Sequence, residues 1–449
     1  MHTKIVNKLH MLGYEAYFVG GAVRDALMGK IPKDYDIVTN ARPTLIKSIF
    51  SKEKISEVGA NFKVMIINGI EVATYRKDKY FEHFKKTLTT EYADTLEEDL
   101  SRRDFTINAI AMDINSTVGL LEDGKLSIID GLTDPFNGQE DIKLRTIRFV
   151  GNAEERIYED PCRILRALRF CCLFDGFYNI APETYKALRK YSHLVKLIPK
   201  ERIRLEIMKV MEYNNPSLFF SLLKEFNLLD YIFPSLDAGW YHFDNKRHNE
   251  TIFLHNMICG NSISKRKPLL RLAGFLHDTG KPEAYNGTNY AKHDKIGAEI
   301  VRAELEALTF STEEIDYICS LIDIHMVSIN VKQKSARKLF IRLKENKLTW
   351  KDLMQLRFAD SKANLKKDNI NRADIKKMVL NIHKELKRKP AFAIKDICVD
   401  GHDVMNWLRV PAGPIIGKVL KYCFNAVTEN PENNNRPYLL FLIRTYKED

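Results

Sequence analysis

Hydrophobic positions change their spacing about a third of the way along the chain. Near its start, short apolar or alternating runs predict strands at Ala16–Val19, Val64–Ile67 and Ile70–Thr74. From about residue 141 onward, apolar residues recur three and four positions apart, which predicts helices such as Pro161–Leu173, Glu201–Met211 and Pro268–Leu276. The pattern therefore predicts an α+β head with a small mixed sheet, followed by a mainly α-helical body.

The sequence has no segment that is typical of a membrane span or of export. No run approaches the ~18 consecutive apolar residues of a spanning helix, and the start of the chain lacks the apolar core of a signal peptide. Seven cysteines occur without a CxxC pair, and Cys171 and Cys172 are adjacent in an apolar run, which suits buried free thiols. We expect a cytoplasmic, reduced protein.

The charge balance favours an anionic partner. The chain has 70 Lys and Arg against 59 Asp and Glu, a formal net charge of +11. Basic side chains that neutralise phosphates release counterions, so the excess favours a nucleic acid. Charge alone does not establish a nucleic-acid partner, so the sequence motifs have to be considered.

The densest chemical signal follows the first predicted strand. Gly20 and Gly21 allow backbone N–H groups to approach phosphate oxygens, and Arg24 adds a fixed charge for phosphate. Asp34 and Asp36 come shortly afterwards. Since residues two apart on a strand face the same side, these two carboxylates can share Mg²⁺ ions.

A two-metal site there would stabilise the attacking 3′ oxygen and the leaving pyrophosphate of a nucleotidyl transfer. Glu71, on the later strand Ile70–Thr74, either provides a third carboxylate or pairs with an arginine. Taken singly, a Gly-Gly pair is typical of a turn and DxD of a solvated loop. Their combination in this order favours the metal and phosphate site.

These strings resemble the polymerase-β-like group of tRNA nucleotidyltransferases and poly(A) polymerases. GGAVRDALMG and KDYDIVT are similar to its head motif, and RRDFTINA is similar to a second motif that contacts ribose and triphosphate. DPFNGQED is similar to a third, which links head to neck. The resemblance implies that Asp34 and Asp36 are catalytic. It implies nucleotide binding by Gly20, Gly21, Arg24, Arg103, Asp104 and Asn108.

The segment Glu159-Asp160-Pro161-Cys162-Arg163 carries a pair of side chains suited to reading a base. It opens a helix with an acidic cap and an early proline, and the spacing predicts that Asp160 and Arg163 share a helix face. A carboxylate only accepts hydrogen bonds and a guanidinium only donates. The pair therefore matches the amine and ring nitrogen of cytosine and of adenine, but not uracil or guanine. A capped helix with surface ion pairs would show the same residues.

The string resembles the EDxxR motif of class II CCA-adding enzymes, whose Asp and Arg read the base edge. The resemblance implies nucleotide binding by Asp160, Arg163, Arg166 and Arg169. The next family motif, which supports the neck, resembles the segment from Pro199 to Glu206.

The segment Arg76–Glu91 corresponds to the family's flexible loop, which reorients the pocket between CTP and ATP. The family often has Arg-Arg-Pro there, whereas this chain has Phe84-Lys85-Lys86-Thr87.

The helical body contains a group of potential metal ligands. His277-Asp278 ends the apolar run Leu269–Leu276, and an imidazole beside a carboxylate at a helix end can bridge two metals with ligands from other helices. The candidate ligands are His255, His277, Asp278, His293, His325 and Asp360. They resemble the HD superfamily as inserted into bacterial nucleotidyltransferases, which implies a transition-metal site and hydrolysis of phosphomonoesters or cyclic phosphodiesters. We interpret His383 and His402 as structural.

The motifs divide the chain into four predicted domains. These are a nucleotidyltransferase head (1–140), a neck that binds RNA and nucleotide (141–235), an HD-type helical domain (236–365) and a helical, tRNA-binding tail (366–449). In the tail, the segment Pro411–Lys418 with Lys421 either receives RNA phosphates or is a plain helix start.

Three functions fit these motifs. The first is addition of C, C and A to the 3′ end of tRNA from CTP and ATP with Mg²⁺. The second is a related enzyme, an A-adding or CC-adding tRNA nucleotidyltransferase or a poly(A) polymerase. The third is an HD-type phosphohydrolase whose head binds RNA. The length of Arg76–Glu91 argues against CC addition alone, and the head and neck motifs argue against the third.

Overall fold

The computed structural model describes residues 1–58, 64–80, 88–115, 118–120, 126–128, 130–242, 250–326, 333–365, 380, 384, 387, 391 and 393–446. The loop string Phe84-Lys85-Lys86-Thr87 and His383 lie outside these residues, so the interpretations given to them stay predictions. The chain forms two compact units, Met1–Ile232 and Phe233–Asp449. The subdivision into four domains stays a prediction.

The first unit contains the strands. They are β1 (Ala16–Val19), β2 (Asp36–Thr39), β3 (Ile55–Val58), β4 (Val64–Ile67), β5 (Ile70–Thr74), β6 (Arg76–Tyr80), β7 (Leu88–Tyr92), β8 (Ala111–Met112), β9 (Val118–Leu120), β10 (Leu126–Ile128), β11 (Leu132–Thr133), β12 (Thr146–Ile147) and β13 (Asn179–Ile180). The three strands predicted from the sequence are confirmed with the same bounds.

The helices of the first unit are α1 (His2–Met11), α2 (Gly21–Leu27), α3 (Pro43–Ile49), α4 (Leu96–Ser101), α5 (Gly138–Lys143), α6 (Ala153–Glu159), α7 (Cys162–Cys171), α8 (Pro182–Tyr191), α9 (Lys200–Val210), α10 (Ser217–Glu225) and α11 (Leu229–Ile232). Those of the second are α12 (Pro234–Ala238), α13 (Ile252–Ser262), α14 (Pro268–Leu276), α15 (Lys281–Ala284), α16 (His293–Ala307), α17 (Thr312–Ile324), α18 (Gln333–Glu345), α19 (Trp350–Ala363), α20 (Gly401–Leu408), α21 (Pro414–Glu429) and α22 (Arg436–Arg444). Short 3₁₀ turns occur at Thr106–Asn108, Cys172–Phe174, Ser192–Leu197, Ile394–Asp396 and Pro431–Asn433.

The main sheet brings three chain segments to one edge. Its described strands run in the order β11-β8-β1-β2-β5-β4-β3. β2 is antiparallel to β1 and parallel to β5. The end of β1 and the starts of β2 and β5 therefore meet at the same edge. Apolar residues of these strands and of the flanking helices, among them Ile37, Val72, Leu9 and Ile46, are buried together beneath it.

The neck helix α7 packs against other helices of the neck through its apolar positions. Ile164, Leu165 and Leu168 are buried, and the helix packs against α9 and α10. The spacing of three and four between them places these side chains on the inner side of the helix, as the sequence predicts.

In the second unit, glycines allow close helix contacts. A Cβ on Gly260 of α13 would lie 2.4 Å from the ring of Phe275 in α14. A Cβ on Gly280, just before α15, would lie 2.2 Å from the carbonyl oxygen of His293, which begins α16. Glycine at 280 therefore permits the segment after His277-Asp278 to approach α16. None of the described helices combines the length and apolar composition needed to cross a membrane.

Candidate active site

The strand edge carries Asp36 and Glu71, two of the three carboxylates that the sequence places on strands. Asp36 begins β2 and pairs in register with Glu71 of β5, and with Val19 of β1 on its other side. The side chains of Asp36 and Glu71 hydrogen-bond to each other. Burial raises the pKa of Asp36; Arg103 opposes the rise, and Asp34 adds to it. Two carboxylates that lie side by side offer hard oxygen ligands, and this donor set fits a divalent cation such as Mg²⁺.

The prediction that Asp34 and Asp36 lie on the same strand is wrong, because β2 begins at Asp36 and Asp34 is exposed before it. Tyr35 between the aspartates is anchored in the unit. The Tyr35 ring stacks on His2 at 4.0 Å and meets Phe18 edge-on at 5.6 Å. Among the described residues, groups of three potential metal-ligand atoms within 4.8 Å of one another occur only in the second unit. Asp34, Asp36 and Glu71 therefore do not form so tight a set.

Gly20 brings the backbone and a cation to the carboxylate of Asp36. Its φ is +70°, a conformation that favours glycine. A Cβ there would lie 3.2 Å from Nη1 of Arg103 and 3.7 Å from Oδ2 of Asp36. Arg103 is itself oriented by Asp99, at 3.2 Å. A bulkier residue at 20 would push the guanidinium away from the carboxylate edge.

A line of hydrogen bonds joins this head to the neck. Nη1 of Arg24 donates to Oδ1 of Asn108 at 2.6 Å, and the Asn108 amide donates to Oδ1 of Asp104 at 3.0 Å. Oδ2 of Asp104 accepts from Nε of Arg166 at 2.7 Å and also from its Nη2. Burial opposes ionisation of Asp104, but Arg166 and Asn108 outweigh it and hold the pKa of this carboxyl well below its usual range.

The other predicted arginines of α7 each have a carboxylate partner. Arg163 donates to Glu159 and to the carbonyl oxygen of Arg102, the latter at 3.3 Å. Arg169 is buried and donates to Glu206 at 2.5 Å. The structure thus gives both arginines protein contacts, and their predicted nucleotide contacts stay predictions.

The prediction that Asp160 and Arg163 share a helix face is wrong. Asp160 lies before α7 with extended backbone (φ −150°, ψ 99°), and its Oδ1 caps the N–H of Cys162 at 3.0 Å. Its two oxygens accept from Nη1 and Nη2 of Arg202 in α9, at 2.8 and 2.7 Å. A residue that caps a helix does not follow the helical spacing. Arg202 lies in the Pro199–Glu206 motif, but only the fold brings it to Asp160.

The predicted ligands of the second unit converge on Asp278. Its carboxylate oxygens lie 3.2 Å from Nε2 of His293 and 3.5 Å from Nε2 of His255, His277 and His325. Oδ1 of Asp360 lies 3.0 Å from Nε2 of His255 and 3.6 Å from that of His277. Two sets of ligand atoms lie within 4.8 Å, His255 with His277 and Asp360, and His277 with Asp278 and His325.

The imidazoles of this cluster are held in one orientation. Nδ1 of His277, His293 and His325 contacts the carbonyl oxygens of Gly274, Tyr290 and Ile322, respectively. Their Nε2 atoms are buried and have no hydrogen-bond partner among the described residues. An imidazole fixed through Nδ1, with Nε2 directed at carboxylates, is the arrangement of metal ligands. The residues therefore fit a nitrogen-rich metal centre.

Sequence reasoning missed Lys281, whose buried Nζ lies 2.6 Å from Oδ2 of Asp278. Burial opposes ionisation of Asp278, but Lys281 and His277 hold its pKa well below the usual range. His402, interpreted as structural, is exposed at the start of α20.

Comparison with known families finds three matches along the chain. Residues 16–148 match the family described as "Poly A polymerase head domain". Residues 177–239 match "Probable RNA and SrmB-binding site of polymerase A", and residues 293–442 match "tRNA nucleotidyltransferase domain 2 putative".

Curated relatives carry the name CCA-adding enzyme. That of Ligilactobacillus salivarius is 40% identical over 215 residues, 47% of this chain and 49% of the relative. That of Streptococcus uberis is 31% identical over 301 residues, 65% of this chain and 70% of the relative. For most of the relatives compared, the chain spans about half of their length.

Solved structures of the same name share the fold. The Bacillus stearothermophilus CCA-adding enzyme in complex with CTP is 25% identical, with a TM-score of 0.67 over 98% of this chain and 95% of that one. The Thermotoga maritima CCA-adding enzyme complexed with tRNA is similar in fold, at 19% identity and a TM-score of 0.54, over 98% of this chain and 93% of that one.

The link between head and neck generates a stability prediction. Asp104→Asn removes the charge that Arg166 faces, and we expect a loss of about 2–3 kcal/mol in the free energy of opening α7. The figure is at the low end because the Arg166 side chain is 29% exposed. Hydrogen exchange of α7 amides measures this opening directly. The control Glu212→Gln breaks only the exposed pair with Lys33 and should cost less than about 1 kcal/mol.

The stabilisation that Asp104 contributes should depend on pH in one direction. The pKa of Asp104 is lowered by folding, so its stabilisation is present above the ordinary aspartate pKa of ~3.9 and is lost as the pH falls below it. The difference between wild type and Asp104→Asn should stay constant from pH 8 to about pH 4 and shrink below. Equal opening energies at pH 7 would contradict the role given to Asp104.

Proposed function

We propose a function for this chain on the premise that it belongs to the family of CCA-adding enzymes: it adds C, C and A in sequence to the 3′ end of tRNA, using CTP and ATP and no nucleic-acid template. The observation that carries the proposal is the strand edge, where Asp36, Glu71, Gly20 and Arg103 meet. Oxygen ligands and a guanidinium at one edge suit a metal-bound triphosphate.

In the proposed reaction, the terminal hydroxyl oxygen of tRNA attacks the α-phosphorus of the nucleotide and pyrophosphate leaves. Asp34 and Asp36 hold Mg²⁺, with Glu71 as a further carboxylate. Mg²⁺ bound there supplies charge that stabilises the attacking and leaving oxygens. Arg103 and Arg24, each oriented by protein partners, neutralise phosphate charge without having to reorganise.

Base choice is assigned to the start of α7. Asp160 accepts from the amine of cytosine or adenine, and Arg163 donates to the ring nitrogen beside it. Uracil and guanine would set carbonyl oxygen against carboxylate and N–H against guanidinium. Each unpaired polar group costs about 1–3 kcal/mol, so a double mismatch excludes both bases. The formal charge of +11 supports tRNA as the partner.

The alternatives within the family are addition of A alone or of CC alone, and poly(A) synthesis. They share the head and neck, so the length of the product distinguishes them. The ends of the segment Arg76–Glu91 pair as β6 and β7, so they are not a loop, and the residues between them lie outside the described part of the chain. The length of this segment still argues against CC addition alone.

A second candidate function is hydrolysis of phosphomonoesters or cyclic phosphodiesters in the second unit. The observation that favours it is a set of three buried Nε2 atoms, directed at Asp278, that have no hydrogen-bond partner in the described part of the chain. Nitrogen-rich ligands suit transition metals rather than Mg²⁺. A metal bound there supplies Lewis-acid charge for attack on a phosphate ester.

Asp36→Ala should abolish nucleotide addition while the protein stays folded, because a ligand is lost where the transition state carries most charge. The assay supplies tRNA that ends before the CCA, after one C or after CC, with labelled CTP or ATP. We expect wild type to extend all three to CCA. The control Asp230→Asn changes an exposed aspartate of α11 and should be as active as wild type.

Activity of Asp36→Ala within about tenfold of wild type, with normal melting, would contradict the assignment of the strand edge. Wild-type extension of only the CC-ended tRNA, or long A tails, would select the corresponding alternative.

Combined His277→Ala and Asp278→Ala changes should remove bound transition metal, measured by elemental analysis of the purified protein, and any metal-stimulated phosphatase activity. CCA addition with Mg²⁺ should continue, since the two ligand sets lie in different units. Some loss of stability is expected, because metal ligands tie helices together. The control His402→Ala alters an exposed histidine and should leave the metal content unchanged.

A folded double variant that no longer adds CCA would refute the independence of the two sites. Wild-type protein that takes up no transition metal would refute the second candidate function.

A further inference from the structure

The carboxylate of Asp160 is almost fully occupied by the protein itself. Oδ1 accepts from the Cys162 N–H at 3.0 Å and from Nη1 of Arg202 at 2.8 Å. Oδ2 accepts from Nη2 of Arg202 at 2.7 Å. A carboxylate has about four acceptor positions. Among the described residues, these three donors leave one position, and it is on Oδ2.

The geometry also fixes the direction of that remaining position. Two parallel N–H···O bonds from one guanidinium determine the plane of the carboxylate, which a single donor cannot do. The cap to Cys162 ties the carboxylate to the first turn of α7, and Arg202 ties it to the first turn of α9. Arg202 is held in place by α9, whose Ile203 and Ile207 are buried.

We propose that Arg202 is a specificity-determining positioning residue, which leaves Asp160 a single, directed acceptor for one N–H of the incoming base. This inference rests on the proposed function, in which Asp160 reads the amine of cytosine or adenine. A carboxylate held in this way accepts one amine N–H and cannot turn away from a carbonyl oxygen placed opposite it. Arg202 acts through Asp160 and does not itself contact the base.

The pair could instead be an ordinary surface ion pair. Its side chains are 45% and 25% exposed, and exposed pairs contribute little stability. An ion pair of that kind would affect melting slightly and affect all nucleotides equally. A positioning role affects the choice between nucleotides, so the two can be distinguished by the ratio of rates.

The test uses the full chain with tRNA that ends before the CCA and compares kcat/KM for CTP and for UTP. Arg202→Gln should lower the CTP-over-UTP preference by at least about tenfold, the effect of one polar group that is no longer held in register. Arg202→Lys keeps the positive charge but loses the two parallel N–H donors, and it should recover only part of the preference. The control Lys200→Gln removes a charge from the same helix, next to Tyr231, and should leave the preference unchanged.

A double-mutant comparison shows whether Arg202 acts through Asp160. In an Asp160→Asn background, Arg202→Gln should change the preference by less than about twofold, because the carboxylate to be positioned is already gone. An equal fall in kcat/KM for both nucleotides, or a full effect in the Asp160→Asn background, would overturn the proposal. If the wild type adds no nucleotide to tRNA, the proposed function itself is refuted. If the wild type is active but Arg202→Gln does not change the CTP-over-UTP preference, only the role proposed for Arg202 is refuted.

Discussion

The first unit depends on one buried negative charge. Asp104 is ionised between Asn108 and Arg166, so a segment that follows the sheet edge is bonded to the neck helix α7. An unpaired carboxylate would be too costly to bury there, and an unpaired Arg166 would be drawn toward solvent. The position of α7 relative to the strand edge is therefore fixed by charge pairing as well as by apolar packing.

The other arginines of this region are also paired with carboxylates. Arg163 has Glu159, Arg169 has Glu206, and Arg202 has Asp160. Guanidiniums held in this way keep their orientation. In the second unit the pairing is different in kind. Imidazoles are fixed through Nδ1 and directed at Asp278, which suits a metal.

Local pattern was sufficient to predict three of the described strands and the helical body. β1, β4 and β5 have the predicted bounds because short apolar runs followed by turns have few alternative structures. The six candidate ligands of the second unit were proposed from residue type and helical context, and the fold brings them together around Asp278. The register of Asp36 with Glu71 could not be read from the sequence, since it depends on which strands pair. The Asp160–Arg202 pair was missed because a capping residue leaves the helical spacing, and its partner comes from another helix.

The most direct test of this account is the Asn108→Ala variant. Asn108 joins Arg24 to Asp104, the head residue that pairs with Arg166 of α7, and its removal breaks this line without removing a charge. Single-turnover addition of CMP and of UMP to tRNA, at saturating nucleotide, measures rate and base choice together. We expect the rate of CMP addition by Asn108→Ala to fall, and the CTP-over-UTP preference to fall with it. A reduced rate with an unchanged preference would contradict this, because base choice would then not depend on the bonds from Arg24 through Asn108 to Asp104.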